Sequence, residues 1–430
     1  MREEPAAGLS LKDSPQRWWL AALLALGMVF CYAQRGSLSV AAPFMIEELG
    51  LSPASMGVLL SAFFWCYSFM QVPAGWLVDR FGVKRAYGIG FVFWSLAAAA
   101  SGLARGLISL AAARVALGMG QAVAFPASAS AVAHSFRDAQ RGLVTAIYLS
   151  GVRLGQALVG AVGVLLIAAY GYELFFLITG LVPVLWVLPW WRFWSKWERA
   201  AGALPGAGAS PAARHTMSFA DSVALLRHRT VLGIFLGFFA YDYAWFVYVT
   251  WLPGYLVLER KFTAREMGVY SSLPYVAMSA VILISGFLSD GLIRRGYAET
   301  AVRKTLICIG LLIACLIVPA GVVEDRMMAV WLMTASLCGI GIAAPNTWTL
   351  TQAVCAKSIV GTVSGIQNFG GNVGGIIAPA LTGYIAHRTH SFALALGLTG
   401  VVLVLGVLSY VLLISGRVEV AATPDRPAPA

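Results

Sequence analysis

The chain has 430 residues, 59% of them hydrophobic and only 11% charged, with a mean hydropathy of +0.79 and a formal net charge of +11. Ordinary soluble domains carry about 25% charged residues, so the composition excludes a water-soluble protein of the usual kind. A membrane-spanning helix needs about 20 apolar residues, and the length accommodates about a dozen such helices with short connections.

In chain order, residues 1–17 form a polar tail. The first apolar run follows Arg17-Trp18-Trp19 and continues past the length of a signal-peptide core, so it is expected to stay as a span. Apolar runs predict spans near 18–45, 54–78, 85–104, 107–132, 142–169 and 173–194. Residues 195–229 break the pattern: Ala200–Ala213 is rich in Gly, Ala and Pro and reads as a flexible linker. Spans resume near 230–257, 266–290, 303–322, 327–354, 359–386 and 391–415, and 416–430 form a C-terminal tail. The expected fold is an all-α membrane protein. Its twelve transmembrane helices fall in two pseudo-symmetric six-helix bundles, 18–194 and 230–415.

The distribution of charge sets the expected orientation. With both termini in the cytoplasm, Lys and Arg concentrate on that side, as in Arg80, Lys84, Arg85 and Arg294, Arg295, Arg303, Lys304. The same distribution argues against a nucleic-acid partner, because no basic segment sits on a soluble module. Cys31, Cys66, Cys308, Cys315, Cys338 and Cys355 fall in or at the ends of spans, while the histidines lie at helix ends or in loops. Neither set has metal-site spacing. No cofactor is expected, nor is a membrane enzyme, since no span-facing Ser–His pair or metal cluster is present.

Away from the ends of the spans, only Arg35, Arg114, Arg153 and Asp242 interrupt the apolar pattern. A charge at the centre of a membrane helix costs about 2.5–3.5 kcal/mol on insertion scales. Three cations kept at that cost suggest water-accessible space holding something negative. Arg35 lies one helical turn from Tyr32, and Arg114, Gly118, Gln121 and Phe125 share one helical face. A guanidinium matches a carboxylate through two parallel hydrogen bonds, so an organic anion is the expected solute. Arg153 sits between Gly151 and Gly155, a small-residue edge for tight packing. It reaches either the solute or the loop near Asp79. In the aromatic-rich seventh span, Tyr241 and Trp245 at i and i+4 are the better pocket candidates.

The two halves repeat each other. Gly75-x-Leu77-x-Asp79 closes the second span and Gly286-x-Leu288-x-Asp290 the eighth, at an offset of 211 residues. Gly142, Gly151 and Gly155 correspond to Gly361, Gly370 and Gly374 at an offset of 219. Duplicated halves place a solute site at their junction near mid-membrane.

The segment Gly75-x-Leu77-x-Asp79-Arg80-x-Gly82-x-Lys84-Arg85 resembles the loop motif of the major facilitator superfamily. Further segments resemble the anion:cation symporter family within it: Tyr32-x-x-Arg35, Arg114-x-x-x-Gly118-x-Gly120, Phe125-Pro126-Ala127, Thr250-Trp251-Leu252-Pro253 and Gly361-Thr362-Val363-Ser364-Gly365, continuing through Asn368 to Asn372. The likeness covers nearly the whole chain apart from the termini and linker. It implies a transporter carrying a carboxylate such as a sugar acid or aromatic acid, usually with protons as the coupling ion; the high Ala and Gly content with short loops is compatible with a bacterial inner membrane, and a monomer is expected. It implies Arg35 as carboxylate ligand, with Arg114 gating or assisting. Tyr67, Thr347, Trp348 and Asn368 match positions that line the pocket in sugar-acid members. Asp79, Arg80, Lys84, Arg85 and Asp290 are gating residues by the same likeness.

One departure matters. Where proton-coupled relatives place acids beside these arginines, this chain has Gln34 and Gln121, which do not titrate. Asp242 then remains as a proton-coupling candidate, as a structural partner for an arginine, or the transport is uncoupled uniport or anion exchange. A carrier of neutral sugars or drugs is the rival reading.

Overall fold

We describe the chain from a computed structural model, which covers residues 15–136, 138–201, 224–355, 359–416 and 418. The secondary structure there is helical almost throughout. α1 is Arg17–Glu48, α2 Pro53–Ala100, α3 Leu107–Gln121, α4 Ala124–Ser135, α5 Asp138–Leu181 and α6 Val187–Ala201. After the linker come α7 Arg229–Leu258, α8 Ala264–Arg294, α9 Glu299–Ala314, α10 Ile317–Val322, α11 Arg326–Val354, α12 Val360–Thr389 and α13 Ala393–Leu413.

Helix boundaries and membrane crossings do not coincide one to one. α2 and α5, of 48 and 44 residues, each hold two crossings. The short connections expected between the spans, 79–84 and 170–172, shrink to single hinges at Gly82 (φ 78°) and Gly171 (φ 76°). A positive φ is a conformation that side chains with a Cβ rarely adopt, so a glycine lets each helix bend and resume at once. Conversely, α3 with α4 and α9 with α10 are single crossings interrupted by a turn. With α1, α7, α8, α11, α12 and α13, and with the second arm of α5 continuing into α6, the expected twelve crossings are accounted for. Nine segments among the described residues are long and apolar enough to cross a membrane, one of them the bent Ile147–Lys196.

The burial pattern is that of a protein dissolved in lipid. Ile108 is 86% exposed and Phe287 75%, whereas Gln34, Gln121, Asn346 and Gln367 are fully buried. In hydrocarbon, apolar side chains face outward at no cost, and polar ones turn inward to find hydrogen bonds. Prolines inside the helices, among them Pro43, Pro73 and Pro345, are tolerated because neighbouring helices re-satisfy the freed backbone groups.

The chain forms two compact units, and neither is a continuous stretch. Unit one takes in residues up to 214 with Phe246–Ser279 and Gly375–Ala395; unit two comprises His215–Trp245, Ala280–Gly374 and the chain from Leu396. Within unit one, α5 lies directly on α1: Gly151 packs on the Ala25 carbonyl and Gly155 on that of Val29. Within unit two, Gly370 and Gly374 of α12 approach the Phe235 and Phe239 carbonyls of α7 in the same way. The glycines correspond at an offset of 219 residues and their partners at 210, so the repeat in sequence is also a repeat in packing.

Unit one also contains the ends of α7, α8 and α12 remote from Gly82, closed on α1, α2 and α5. Ser39 Oγ donates to the Thr250 carbonyl at 2.6 Å, and Ser272 Oγ to that of Ala157 at 2.9 Å. A methyl group on Gly57 would meet the Pro379 carbonyl at 2.6 Å and Gly383 at 3.1 Å. Phe64 and Phe246 are 4.4 Å apart, and Trp251 Nε1 donates to the Pro379 carbonyl at 2.9 Å. These contacts use small residues, hydroxyls and rings.

Candidate functional site

Arg35 sits in the middle of α1 and is 6% exposed. Its helix neighbour Tyr32, one turn away, and Phe63 and Tyr67, on one face of α2, surround the guanidinium with rings. The centroids lie 4.3, 4.5 and 4.7 Å from Cζ. Such stacking is favourable because the ring face is electron-rich, the more so where water is excluded. Nε donates to Gln121 Oε1 at 3.2 Å and Nη1 to the Tyr32 hydroxyl at 3.3 Å, while Nη2 has no hydrogen-bond partner among the described residues.

Arg114 of α3, 2% exposed, joins the same cluster. Its Nη2 donates to the Arg35 carbonyl at 3.0 Å, and its Cζ lies 5.7 Å from the Phe63 ring, so one phenyl serves both cations. Its Nε is buried with no hydrogen-bond partner among the described residues. The two charges act on each other, and no salt bridge to either is formed among the described residues. Gln121 uses both ends of its amide: Oε1 accepts from Arg35 while Nε2 donates to the Cys31 carbonyl at 2.8 Å. Gln34 is turned elsewhere, donating to Ser95 Oγ and the Thr179 carbonyl, each at 3.1 Å. Arg153 interacts electrostatically with Tyr32 and with Tyr275 of α8, both in unit one.

Five expected site residues, Tyr32, Arg35, Tyr67, Arg114 and Gln121, therefore form one cluster in unit one. Phe63 belongs with them and sequence reasoning missed it. Its signal was the i, i+4 spacing to Tyr67.

Other expected residues lie in unit two. Tyr241 stacks on Phe238 at 5.3 Å, and Phe238 meets Trp348 edge-on at 5.2 Å. Asp242 lies against Gly371 of α12. Thr347 is 1% exposed, and its hydroxyl donates to the Ala344 carbonyl of its own helix at 2.9 Å. Asn368 is half-buried, and its carbonyl accepts from Asn372 at 3.0 Å. Trp245 is buried at the last position of its segment in this unit.

Of the gating candidates, the Asp79 side chain lies outside the described residues. Arg80 stacks on Trp76 at 5.1 Å, Lys84 Nζ donates to Ser195 Oγ at 3.0 Å, and Arg85 is exposed. The second copy of the motif has a partner: Asp290 Oδ1 is 3.8 Å from Arg303 Nη2. Arg303 also binds Glu299 Oε1 at 2.9 Å and Thr349 Oγ1 at 2.7 Å, tying α8, α9 and α11 together. Among the described residues no group of three His, Cys, Asp or Glu is placed to hold a metal.

With this geometry in view, known proteins give the chain its kinship. It is 33% identical to the D-galactonate transporter of Escherichia coli O6:H1, over 94% of this chain and 96% of that protein. It is 32% identical to the probable galactarate/D-glucarate transporter GarP of E. coli K12 (89% and 91% covered), and 31% to the hexuronate transporter of Bacillus subtilis 168 (88% and 90%). Among solved structures, it shares a fold with a bacterial homologue of the human lysosomal transporter Spinster, captured inward-facing and unoccupied. That match has a TM-score of 0.77 and 19% identity, over 93% of this chain and 97% of that one. Residues 24–379 match the family model described as Major Facilitator Superfamily. The chain is an integral membrane transporter and belongs to the Major Facilitator Superfamily.

Proposed function

We propose that this protein carries a sugar acid or a closely related hydroxylated carboxylate across the bacterial inner membrane by alternating access, with both termini in the cytoplasm. The observation that carries the reading is the Arg35 cluster. A buried guanidinium is held by three rings and a neutral amide, with Nη2 unpartnered and a second guanidinium beside it. A carboxylate supplies what this arrangement lacks: negative charge and two acceptor oxygens in the plane of the fork. Neutral sugars offer hydroxyl oxygens as acceptors but no negative charge. The relatives named for galactonate, glucarate and hexuronate point to the same chemical class.

Arg35 is the proposed carboxylate ligand, Arg114 and Tyr67 its helpers. Tyr241, a pocket candidate by its spacing, and Trp348 and Asn368, which match pocket positions by resemblance, are proposed as further solute-binding residues. The Asp290–Arg303 pair and the Asp79 motif are proposed as gating elements on the cytoplasmic side.

The test is a thermal-shift panel of sugar acids and their neutral sugars against purified protein, followed by uptake into proteoliposomes. Acids alone are expected to stabilise the wild type. Arg35→Ala is expected to lose both binding and uptake. Arg35→Lys keeps the charge but loses the fork and the stacking, and its affinity is expected to fall by about tenfold or more. Stabilisation by neutral sugars that survives Arg35→Ala would refute the assignment.

A further inference from the structure

Among the described residues, the two guanidinium groups of the Arg35 cluster have no built-in counter-charge. The titratable groups that face Arg35 are Tyr32, Tyr67 and Cys31, with Arg114 alongside and Arg153 acting through Tyr32. Phenols and thiols ordinarily give up protons only at alkaline pH, so none of these neutralises the arginines. The group that touches Arg35 most directly is the Gln121 amide. Chemically it is a fixed imitation of a protonated glutamate, accepting from Arg35 through one atom and donating to the Cys31 carbonyl through the other. An acid there would trade its proton for the solute; an amide has nothing to trade. The remaining acid within a span, Asp242, belongs to the other unit and lies against Gly371.

Every alternating-access cycle passes through a state in which bulk water has left the solute site. For a carrier with two neighbouring bare cations that state is strongly disfavoured when empty, because stripping water from like charges strengthens their repulsion. A bound carboxylate removes the penalty. A carrier with a resident acid can do the same for itself by forming an internal ion pair once the solute has gone.

We propose that this transporter is an anion exchanger: it returns across the membrane only when loaded, swapping one organic anion for another rather than coupling uptake to protons. This rests on the carrier reading above and adds to it. The exchange is balanced, one anion in for one out, with no bond broken and no proton moved. Between anions of equal charge it is electrically silent.

The experiment uses the full-length protein in liposomes, with labelled D-galactonate and D-glucarate as probes outside. Vesicles whose lumen holds the same unlabelled acid are expected to take up label at least about tenfold faster than vesicles holding only chloride buffer. An acid-outside pH gradient, a protonophore, or a potassium-diffusion potential should leave that rate unchanged. Equal rates in loaded and empty vesicles, or uptake driven by the pH gradient, would overturn exchange while leaving the carrier reading intact. No uptake under any condition would remove both.

A second arm places the cause. Gln121→Glu restores a titratable partner at Arg35, and is expected to gain uptake into empty vesicles under an acid-outside gradient. Thermal-shift binding of the probe confirms that the variant is folded. A folded, binding variant that still requires luminal anion would overturn the assignment of exchange to the Arg35–Gln121 pair.

Discussion

Phe63 shows how a residue without charge or hydrogen bonds shapes an anion site. Its ring lies 4.5 Å from the Arg35 guanidinium and 5.7 Å from that of Arg114. Cation–ring contacts contribute about 0.5–2 kcal/mol each, more where water is excluded. Phe63→Ala is expected to weaken sugar-acid binding by about tenfold or more, whereas Phe63→Tyr keeps the ring face and should bind nearly as wild type. Isothermal titration of both variants checks this; equal affinity for the alanine variant would show that the ring is only filler. The arginines were legible in sequence because a charge amid apolar residues advertises its cost. Phe63 was not. Phe69, six residues along the same helix, is 66% exposed while Phe63 is fully buried, and the i, i+4 spacing from Phe63 to Tyr67 is a faint mark in a string of membrane phenylalanines. The double role of the Gln121 amide was equally hidden, since it depends on a helix approach between residues 90 positions apart.

Among the helices, contact distance is set by what side chains leave out. Gly155 lets α5 settle on the backbone of α1, and Gly374 lets α12 do the same on α7. At the end remote from Gly82, Gly57 of α2 meets Pro379 and Gly383 of α12. Bulk at that point cannot be absorbed by a rotamer change, because the neighbouring atoms are backbone. Gly57→Trp is expected to hold that end apart: the sugar acid still binds in a thermal-shift assay, but uptake into vesicles drops to background. Normal uptake by the variant would mean that this closure is not part of the cycle. The spans were visible in the sequence because lipid demands long apolar runs. The hinges at Gly82 and Gly171 were not, since at each one glycine with positive φ does the work of the short connection expected between two spans. The boundary between the units inside α7, at Trp245 and Phe246, had no sequence signal either. It falls within an unbroken aromatic run.

For the whole molecule, orientation follows from where cations can reside. Basic residues beside spans are in excess on the cytoplasmic face, and here they gather around Gly82 and Gly296 rather than around Leu51 or Ala104, which supports the proposed orientation. In a cysteine-free background, Arg105→Cys would also release Glu173 from its ion pair, so Lys261→Cys is the cleaner outer reporter. It is expected to react with a membrane-impermeant maleimide in intact cells, whereas Arg295→Cys should react only after permeabilisation. The reverse pattern would invert the topology. Duplication, too, could be read from the sequence, because its marks are glycines and aspartates whose spacing survives divergence. What the repeat does not preserve is chemistry: the arginine cluster lies in unit one, while unit two holds the Tyr241, Phe238 and Trp348 rings and the Asn372–Asn368 hydrogen bond.

The amide at position 121 carries an evolutionary implication. Glutamine and glutamate codons differ by a single base, and the two side chains have nearly the same size and shape. A lineage of such carriers can therefore switch its energy source, from the transmembrane proton supply to the stock of metabolites inside the cell, without rebuilding a helix. Where internal acids accumulate as waste, the amide form would turn their disposal into the driving force for nutrient entry.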